Sequence, residues 1–447
     1  MALSLKSKGW SVVLAGTGIN LALGVLYTWS IFKGAINDSI KQGGSGAFQW
    51  DLASINDPYA VCCLVFAFSM ILAGKCQDKM GPRFTAMIGG LLVGAGFFLL
   101  SMTTQYWMWV LGFGVLVGMG LGFGYSSATP PALKWFPPAK TGLVAGIVVS
   151  GFGLAPVYIA PLATYLMKTG GLQWTMLFFA VAFALVVGLF SLLLTNPPAG
   201  YLFGGVAAKA QAAKSAPAAQ VKDVPSSQML KTGTFYLLWT VFFIGAGAGL
   251  MVIGSIAGMA KQSMGELAFL AVAILAVGNA AGRIVAGTLS DRIGRTLTLS
   301  LMLMFQAVLM FIAIPVVSAQ PSSALLIVLI ATGIGFNYGT NLALFPAITK
   351  DYWGLKNFGT NYGLLMTAWG MGGFVLGRAS EMMKAATGNY VMSFGVAGVL
   401  LVAAAVMMMV KDLFNQMVQA KVKEELTRRA EEAARAATLQ PALEQVA

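Results

Sequence analysis

Long apolar segments recur along this chain, separated by short stretches that hold most of its polar residues. A helix that crosses a bilayer needs about 20 mostly apolar residues, and twelve of the segments are near that length or longer. The predicted spans are residues 10–36, 57–75, 84–102, 106–134, 141–167, 174–195, 234–260, 267–290, 296–317, 322–349, 360–386 and 389–410. This pattern predicts an all-α membrane protein with twelve transmembrane helices.

A polar stretch divides the spans into two sets of six. Residues 196–232 combine lysines with several Ala, Pro and Ser residues, which is typical of a hydrophilic linker. We therefore predict an N-terminal half at residues 1–195, a cytoplasmic linker at 196–232 and a C-terminal half at 233–410. The charged segment 411–447 is predicted to be a cytoplasmic tail that forms a solvated or membrane-surface helix.

The composition excludes most enzyme classes. The 447 residues are 58% hydrophobic and only 10% charged, which is not the balance of a soluble domain. The chain has no histidine, so it lacks the commonest general base and the commonest metal ligand. Its three cysteines (Cys62, Cys63 and Cys76) form no zinc or disulfide pattern. We expect no enzymatic activity, no metal site and no cofactor.

The net charge of +13 follows the membrane topology. With the N-terminus in the cytoplasm, twelve spans return the C-terminus to the same side, and most Lys and Arg residues then face the cytoplasm. All but seven of the 28 do so, the exceptions being Lys33, Lys41, Lys168, Lys261, Arg283, Arg378 and Lys384. This is the positive-inside distribution, and it accounts for the basic charge without a nucleic-acid partner.

An arginine lies inside the eighth apolar span. Arg283 precedes the polar cluster at Asp291 by about two helical turns, and Asn279 lies one turn earlier on the same face. A guanidinium at membrane depth costs roughly 2.5–3.5 kcal/mol on insertion scales and stays charged. The sequence offers no obvious buried carboxylate as its partner, so an anionic ligand is the favoured interpretation. The alternative is that Arg283 binds backbone carbonyls or extends to the cytoplasmic surface.

Acidic residues near membrane depth are scarce. Asp57, Glu266 and Glu381 lie close to the ends of their predicted helices. Arg378 and Glu381 are three positions apart on span 11 and are expected to pair with each other at the interface.

One polar loop motif occurs in both halves. Gly74-Lys-Cys-Gln-Asp-Lys-Met-Gly-Pro-Arg83 follows span 2, and Gly287-Thr-Leu-Ser-Asp-Arg-Ile-Gly-Arg295 follows span 8. The aspartates can cap a neighbouring helix or pair with nearby arginines, which would hold one access state closed. Static stabilisation of the loop is the alternative. The candidate gating residues are Asp78, Arg83, Asp291, Arg292 and Arg295.

The repeat extends beyond this loop. Asp78 and Asp291 are 213 positions apart, and the same shift aligns the glycine-rich segment at Tyr125 with the one at Tyr338. Several matches in order indicate two duplicated, pseudo-symmetric halves. Tyr125 and Tyr338 would then reach one central site, where a phenol offers a hydroxyl donor and a flat apolar wall. Ordinary packing is the alternative for any single tyrosine.

The loop motif resembles the cytoplasmic signature of the major facilitator superfamily of secondary transporters. Within it, Gly24-Val-Leu-Tyr-Thr-Trp-Ser-Ile-Phe32 and Trp135-Phe-Pro-Pro138 are similar to segments of the oxalate/formate antiporters and monocarboxylate transporters. The nearest resemblance is to bacterial monocarboxylate (lactate) transporter homologues. It implies the major facilitator fold, a substrate-binding role for Arg283 and a place for Tyr27 in the site.

Two positions depart from the resembling families. Asn279 stands where animal-type monocarboxylate transporters carry an aspartate, so a proton relay there is in doubt. Trp369 stands where the oxalate/formate antiporters carry a second cation, and it would supply a bulky apolar wall or merely pack. One central cation favours a monoanion over a dianion.

The sequence therefore predicts a multi-pass secondary active transporter in the inner (plasma) membrane, working by alternating access as a monomer. Its expected partners are the lipid bilayer, a small organic monoanion such as L-lactate, and a co-transported proton, the proton being implied by the resemblance. The alternatives are an oxalate/formate-type anion exchanger and a non-transporting membrane sensor. The sensor is disfavoured because neither linker nor tail is long enough for a signalling module.

Overall fold

The computed structural model describes residues 2–44, 46–137, 140–198, 201, 223–319, 323–414 and 417. Most of the predicted linker (199–200 and 202–222) and of the predicted tail (415–416 and 418–447) lies outside the described residues. We number the membrane helices α1 to α12 in chain order.

The first half contains six helices. The first, α1, runs through Ala2–Leu23, a 3₁₀ segment at Gly24–Thr28, and Trp29–Gln42. It is followed by α2 (Asp57–Met80), α3 (Pro82–Ser101) and α4 (Tyr106–Lys134). The helical segment Thr141–Ser191 comprises α5 and α6, which are separated at Gly171, where φ is +79°. This left-handed backbone geometry is one that glycine adopts at little steric cost.

The second half also contains six helices. A short helix at Ser226–Met229 precedes them. They are α7 (Gly233–Ile253, continued by Ile256–Met264), α8 (Ala268–Ile293), α9 (Arg295–Ser318), α10 (Ala324–Trp353), α11 (Phe358–Thr387) and α12 (Val391–Phe414).

Twelve membrane helices follow from these bounds. In the described part of the chain, 10 helical segments are long and apolar enough to cross a membrane, and Gly171 divides one of them into α5 and α6. The remaining helix, α11, is 30 residues long and is less apolar than these ten segments. The prediction of an all-α protein with twelve membrane helices is confirmed.

The two copies of the loop motif have the same backbone geometry. Gly81 ends α2 with φ at +86°, and its N–H donates to the carbonyl of Gln77. Gly294 ends α8 with φ at +94°, and its N–H donates to the carbonyl of Ser290. In both copies the turn therefore requires glycine for the same reason, which is the left-handed backbone at the helix end.

The end of the linker packs on the second half. The Asp223 carboxylate accepts hydrogen bonds from the backbone N–H groups of Leu355 and Lys356, at 3.1 and 3.0 Å. The side chain of Asn361 donates to the Val224 carbonyl at 3.0 Å. We call the end of the bundle that contains this contact the linker end. The first turns of α1 and the last turn of α12 also lie there, since Trp10 packs on Phe136 and Lys411 lies over the Tyr352 ring.

At the linker end the two halves meet through close backbone contact. In α2 and α11, a Cβ at Gly74 would lie 2.5 Å from the carbonyl carbon of Gly359. In α5 and α8, a Cβ at Gly142 would lie 2.4 Å from the carbonyl oxygen of Gly287. Small residues allow helix backbones to approach this closely in a membrane, so this end of the central site is closed.

At the opposite end the halves meet through ion pairs. Four pairs connect the halves there in the described residues: Lys33 with Glu381 at 3.4 Å, Lys261 with Asp38 at 3.2 Å, Lys168 with Glu266 at 2.8 Å, and Arg378 with Asp57. The prediction that Arg378 and Glu381 pair with each other is therefore wrong. Each has an oppositely charged partner on the facing half, and that long-range contact replaces the local one.

We expect Gly74→Ala to destabilise the packing of α2 against α11. The added Cβ leaves no space without a backbone shift, and overpacking of this kind typically costs about 1–3 kcal/mol. Purified protein should show a lower thermal unfolding midpoint. Gly188→Ala in α6 is the matched control, because a Cβ there has nothing within 4 Å, and it should leave the midpoint unchanged or slightly higher. Equal midpoints for both variants would contradict the close-contact interpretation.

Candidate functional site

Arg283 lies at the centre of the interface between the halves. Its guanidinium is fully buried, and its Nε donates to Asn279 Oδ1 at 3.0 Å. One terminal nitrogen donates to the backbone carbonyl of Val149 in α5. The other lies 3.4 Å from the hydroxyl of Tyr27, which is longer than a normal N–H···O hydrogen bond and therefore weak. Arg283 thus connects α8 to α1 and α5 of the facing half.

The charge of Arg283 is not neutralised by a carboxylate. Its hydrogen-bond partners are a carboxamide, a backbone carbonyl and a phenol, and in the described part of the chain every ion pair involves another cation. Asn279 Nδ2 is also buried and has no acceptor. The site therefore holds one positive charge and unpaired donors in a low-dielectric interior, which is chemistry that suits an anion.

A hydrogen-bonded chain of aromatic residues lies beside the guanidinium. The indole N–H of Trp369 in α11 donates to the Tyr338 hydroxyl at 2.8 Å. The Tyr338 hydroxyl in α10 shares a 2.5 Å hydrogen bond with the Tyr27 hydroxyl in α1. Tyr27 lies in the 3₁₀ segment that interrupts α1, and such segments often mark hinges.

The ring of Tyr125, in the first half, forms another part of the wall of the site. Its hydroxyl does not take part in the hydrogen bonds that join Trp369, Tyr338 and Tyr27. The Tyr125 ring meets Phe66 and Phe152 edge-on, with ring centroids 5.6 and 5.4 Å apart. Its hydroxyl is buried and has no hydrogen-bond partner, and the same holds for Tyr362 in α11. The two hydroxyls lie close enough to interact with each other, but without the geometry of a normal hydrogen bond. Together they place two weakly paired polar groups next to the arginine.

The structure brings all six predicted substrate-binding residues together. Arg283, Asn279, Tyr27, Tyr125, Tyr338 and Trp369 are each 0–2% exposed. Since the glycine contacts close the linker end and the ion pairs close the other end, the conformation is occluded. No group of His, Cys, Asp or Glu that suits a metal ion occurs in the described residues.

The second copy of the loop motif forms a compact charged cluster. Arg295 pairs with Asp291 at 2.6 Å and with Asp351 at 2.9 Å, which joins the ends of α8, α9 and α10. A Cβ at Gly142, at the start of α5, would lie 2.8 Å from both carboxylate oxygens of Asp291. Asp291 therefore contacts the first turn of a helix in the other half, where a helix dipole favours negative charge.

The first copy is arranged differently. Arg83 Nε donates to the carbonyl of Leu194 at 2.9 Å, within its own half. Asp78 is exposed, and the structure shows it in no hydrogen bond or ion pair among the described side chains. Arg292 is likewise exposed without such a contact in that part of the chain. The two copies therefore share a backbone turn but differ in their contacts in this conformation.

Three aromatic residues of the site were not predicted from the sequence. Phe66, Phe152 and Tyr362 all surround the centre, and the Val149 carbonyl is a further contact of Arg283. Gly153, next to Phe152, packs against the arginine, because a Cβ there would lie 3.2 Å from Arg283 Nε. An aromatic residue beside such a glycine lies where two helices approach.

Several known proteins are similar to this chain. The uncharacterised MFS-type transporter YhjX of Escherichia coli K12 is 28% identical over 368 residues, covering 81% of this chain and 85% of that protein. The oxalate:formate antiporter of Oxalobacter formigenes is 28% identical over 375 residues, covering 81% and 82%. Monocarboxylate transporter 13 of Bos taurus is 25% identical over 402 residues, covering 89% and 88%.

A solved structure shows the same fold. The proton:xylose symporter XylE, bound to 6-bromo-6-deoxy-D-glucose, superposes with a TM-score of 0.69 at 14% identity, over 90% of this chain and 95% of that one. Residues 9–377 and 270–442 match the sequence pattern of the family described as Major Facilitator Superfamily. With twelve membrane helices in two halves around a buried central site, the chain belongs to the Major Facilitator Superfamily of membrane transporters.

Proposed function

We propose that this protein is a secondary active transporter of a small monocarboxylate such as L-lactate, working by alternating access. The observation that carries the proposal is the buried, uncompensated guanidinium of Arg283. Its planar fork matches a carboxylate with two parallel hydrogen bonds. The unpaired Asn279 Nδ2 supplies a further donor beside it.

The single central cation favours a monoanion. A second substrate carboxylate would face the aromatic walls formed by Phe66, Phe152 and Trp369, where an unpaired charge is unfavourable. The indole N–H of Trp369 is already donated to Tyr338. A relative named oxalate:formate antiporter and another named monocarboxylate transporter 13 support a small carboxylate as cargo.

The unpaired hydroxyls of Tyr125 and Tyr362 favour a substrate with an oxygen next to its carboxylate. Buried polar groups without partners cost about 1–3 kcal/mol each, so a ligand oxygen that pairs with them gains affinity. A 2-hydroxy or 2-oxo acid offers that oxygen and an unsubstituted acid does not. This favours lactate or pyruvate over propionate or acetate.

Proton co-transport is the proposed energy source, on the resemblance to monocarboxylate transporters. The linker end, which holds most of the Lys and Arg residues in the described part of the chain, is proposed to face the cytoplasm in the inner (plasma) membrane, with the protein acting as a monomer. A reporter fused after Ala447 that responds only on the cytoplasmic side tests the orientation. Sedimentation of the purified transporter tests the monomer.

Uptake into proteoliposomes tests the function directly. Labelled L-lactate should accumulate when the outside is acidic, and collapse of the pH gradient with a protonophore should abolish accumulation. Oxalate at matched ionic strength should compete weakly. Strong oxalate competition with gradient-independent exchange would favour the oxalate/formate-type exchanger instead, and no uptake of any small carboxylate would overturn the proposal.

Gating is proposed to centre on Asp291 and Arg295. The Asp291 carboxylate touches the start of α5 across the interface, and Arg295 holds it there. Arg83 would hold its own half rigid through Leu194. Asp78 and Arg292 would take part only in another access state, since neither makes such a contact in the described residues of this one.

We expect Arg283→Gln to abolish lactate uptake, because the variant removes the charge that binds the carboxylate. Arg283→Lys should also lose at least about tenfold in uptake, because an ammonium lacks the planar fork. Initial rates in proteoliposomes measure both. Lys231→Gln is the control, since that lysine is exposed and lies outside both the site and the gate. Normal uptake by folded Arg283→Gln protein would refute the substrate-binding role.

We expect Tyr125→Phe to reduce selectivity for lactate over propionate by roughly tenfold, because the variant removes a donor that only lactate satisfies. Inhibition of labelled lactate uptake by unlabelled propionate measures the ratio. Tyr165→Phe should behave like the unmodified protein, since Tyr165 is 65% exposed. If propionate competes as well as lactate in the unmodified protein, the hydroxyl argument is wrong.

We expect Asp291→Asn to shift the conformational balance towards opening at the linker end. Single cysteines introduced at Thr129 and Ser30 report how accessible each side of the centre is to a thiol reagent, because both positions are buried and lie on opposite sides of it. The native cysteines at positions 62, 63 and 76 are removed first. Labelling should rise at Thr129→Cys and fall at Ser30→Cys. Asp78→Asn should change labelling less. Unchanged labelling at both positions in Asp291→Asn would count against the gate.

A further inference from the structure

A groove lies on the outer surface of the second half, at the linker end of α7 and α12. It has a volume of about 380 Å³. Apart from one lysine its lining is apolar, and the lining residues are Leu237, Val406, Met407, Val410, Lys411 and Phe414. Its position places it far from the central site formed around Arg283.

The lysine in this groove has an unusual environment. The ammonium nitrogen of Lys411 is shielded from solvent and has no hydrogen-bond partner. It lies 4.6 Å from the centre of the Tyr352 ring, a contact that uses its charge but none of its three N–H donors directly. The adjacent Asp412 acts on it electrostatically without a hydrogen bond. An ammonium in this state lacks an acceptor.

The surroundings of Lys411 indicate that the missing acceptor comes from the membrane. Large apolar side chains on α12 are exposed before and after it, including Val406, Val410, Leu413 and Phe414 at 47–64% exposure. An exposed apolar belt of this kind on a membrane helix faces lipid. A lysine at such a position usually extends its amine to water, whereas this one is folded against Tyr352 beside an apolar groove.

We propose that this groove binds an anionic glycerophospholipid. An acyl chain would fill the apolar part, and the headgroup phosphate would accept hydrogen bonds from Lys411 after a rotation of its flexible side chain. The lysine supplies the charge complementarity, and the apolar lining excludes free inorganic phosphate as the natural ligand. Basic pockets between membrane helices bind acidic lipid headgroups in this way.

Binding to purified full-length protein in detergent tests the site. Phosphatidylglycerol should raise the thermal unfolding midpoint and be retained in native mass spectra, while phosphatidylcholine and inorganic phosphate should have little effect. Lys411→Gln should lower the affinity for phosphatidylglycerol by about five- to tenfold, as expected for the loss of one lysine–headgroup contact. Lys411→Arg should restore most of it, which separates loss of binding from misfolding.

Two further comparisons make the test decisive. Lys231→Gln removes an exposed lysine at the same end of the bundle and should bind phosphatidylglycerol normally. Without lipid, Lys411→Gln should be at least as stable as the unmodified protein, because it removes a buried charge that has no acceptor. Equal phosphatidylglycerol affinity in Lys411→Gln, or equal effects of the two lipids, would overturn the proposal. So would binding that appears only after removal of residues 418–447, since the tail would then be the occupant.

Discussion

The central interface depends on one buried positive charge, the guanidinium of Arg283, which no carboxylate neutralises. Guanidinium groups are charged in proteins, so the burial of Arg283 must be offset by its hydrogen bonds. Its contacts reach α1 and α5 of the other half, and the aromatic rings around it exclude water. The low dielectric that makes an uncompensated charge unfavourable is also what would strengthen its attraction for a carboxylate.

The polar groups near Arg283 divide into two kinds. Those of Tyr27, Tyr338 and Trp369 are satisfied by one another, and they fix the shape of the site. The hydroxyls of Tyr125 and Tyr362 and the Nδ2 of Asn279 are buried and make no hydrogen bond of normal geometry. The first kind forms a hydrogen-bonded wall, whereas the second kind would give a bound ligand its hydrogen bonds. Tyr125 and Tyr338, which the internal repeat relates to each other, therefore differ in their hydrogen bonding despite their equivalent positions.

Much of this arrangement could be predicted from the sequence, because the bilayer imposes strong patterns. Helix number follows from apolar length, and the central position of Arg283 follows from its rarity at membrane depth. The pairing of Arg378 and Glu381 was predicted wrongly because a local spacing rule was applied to groups whose partners lie on the facing half. Phe66, Phe152 and Tyr362 were missed because aromatic residues are common in membrane helices, and only the packing shows which of them face the centre.

The two ends of the bundle are closed by different physical means. One end is held by ion pairs whose side chains are largely exposed to the medium, and the other by contact between glycine backbones beside the well-shielded Asp291–Arg295 pair. Dissolved ions weaken the first kind of contact and leave the second nearly untouched. The salinity on the face with the exposed ion pairs would therefore act more strongly on the closure of the bundle than the salinity on the other face. A transporter built this way would respond unequally to the ionic strength of the two compartments.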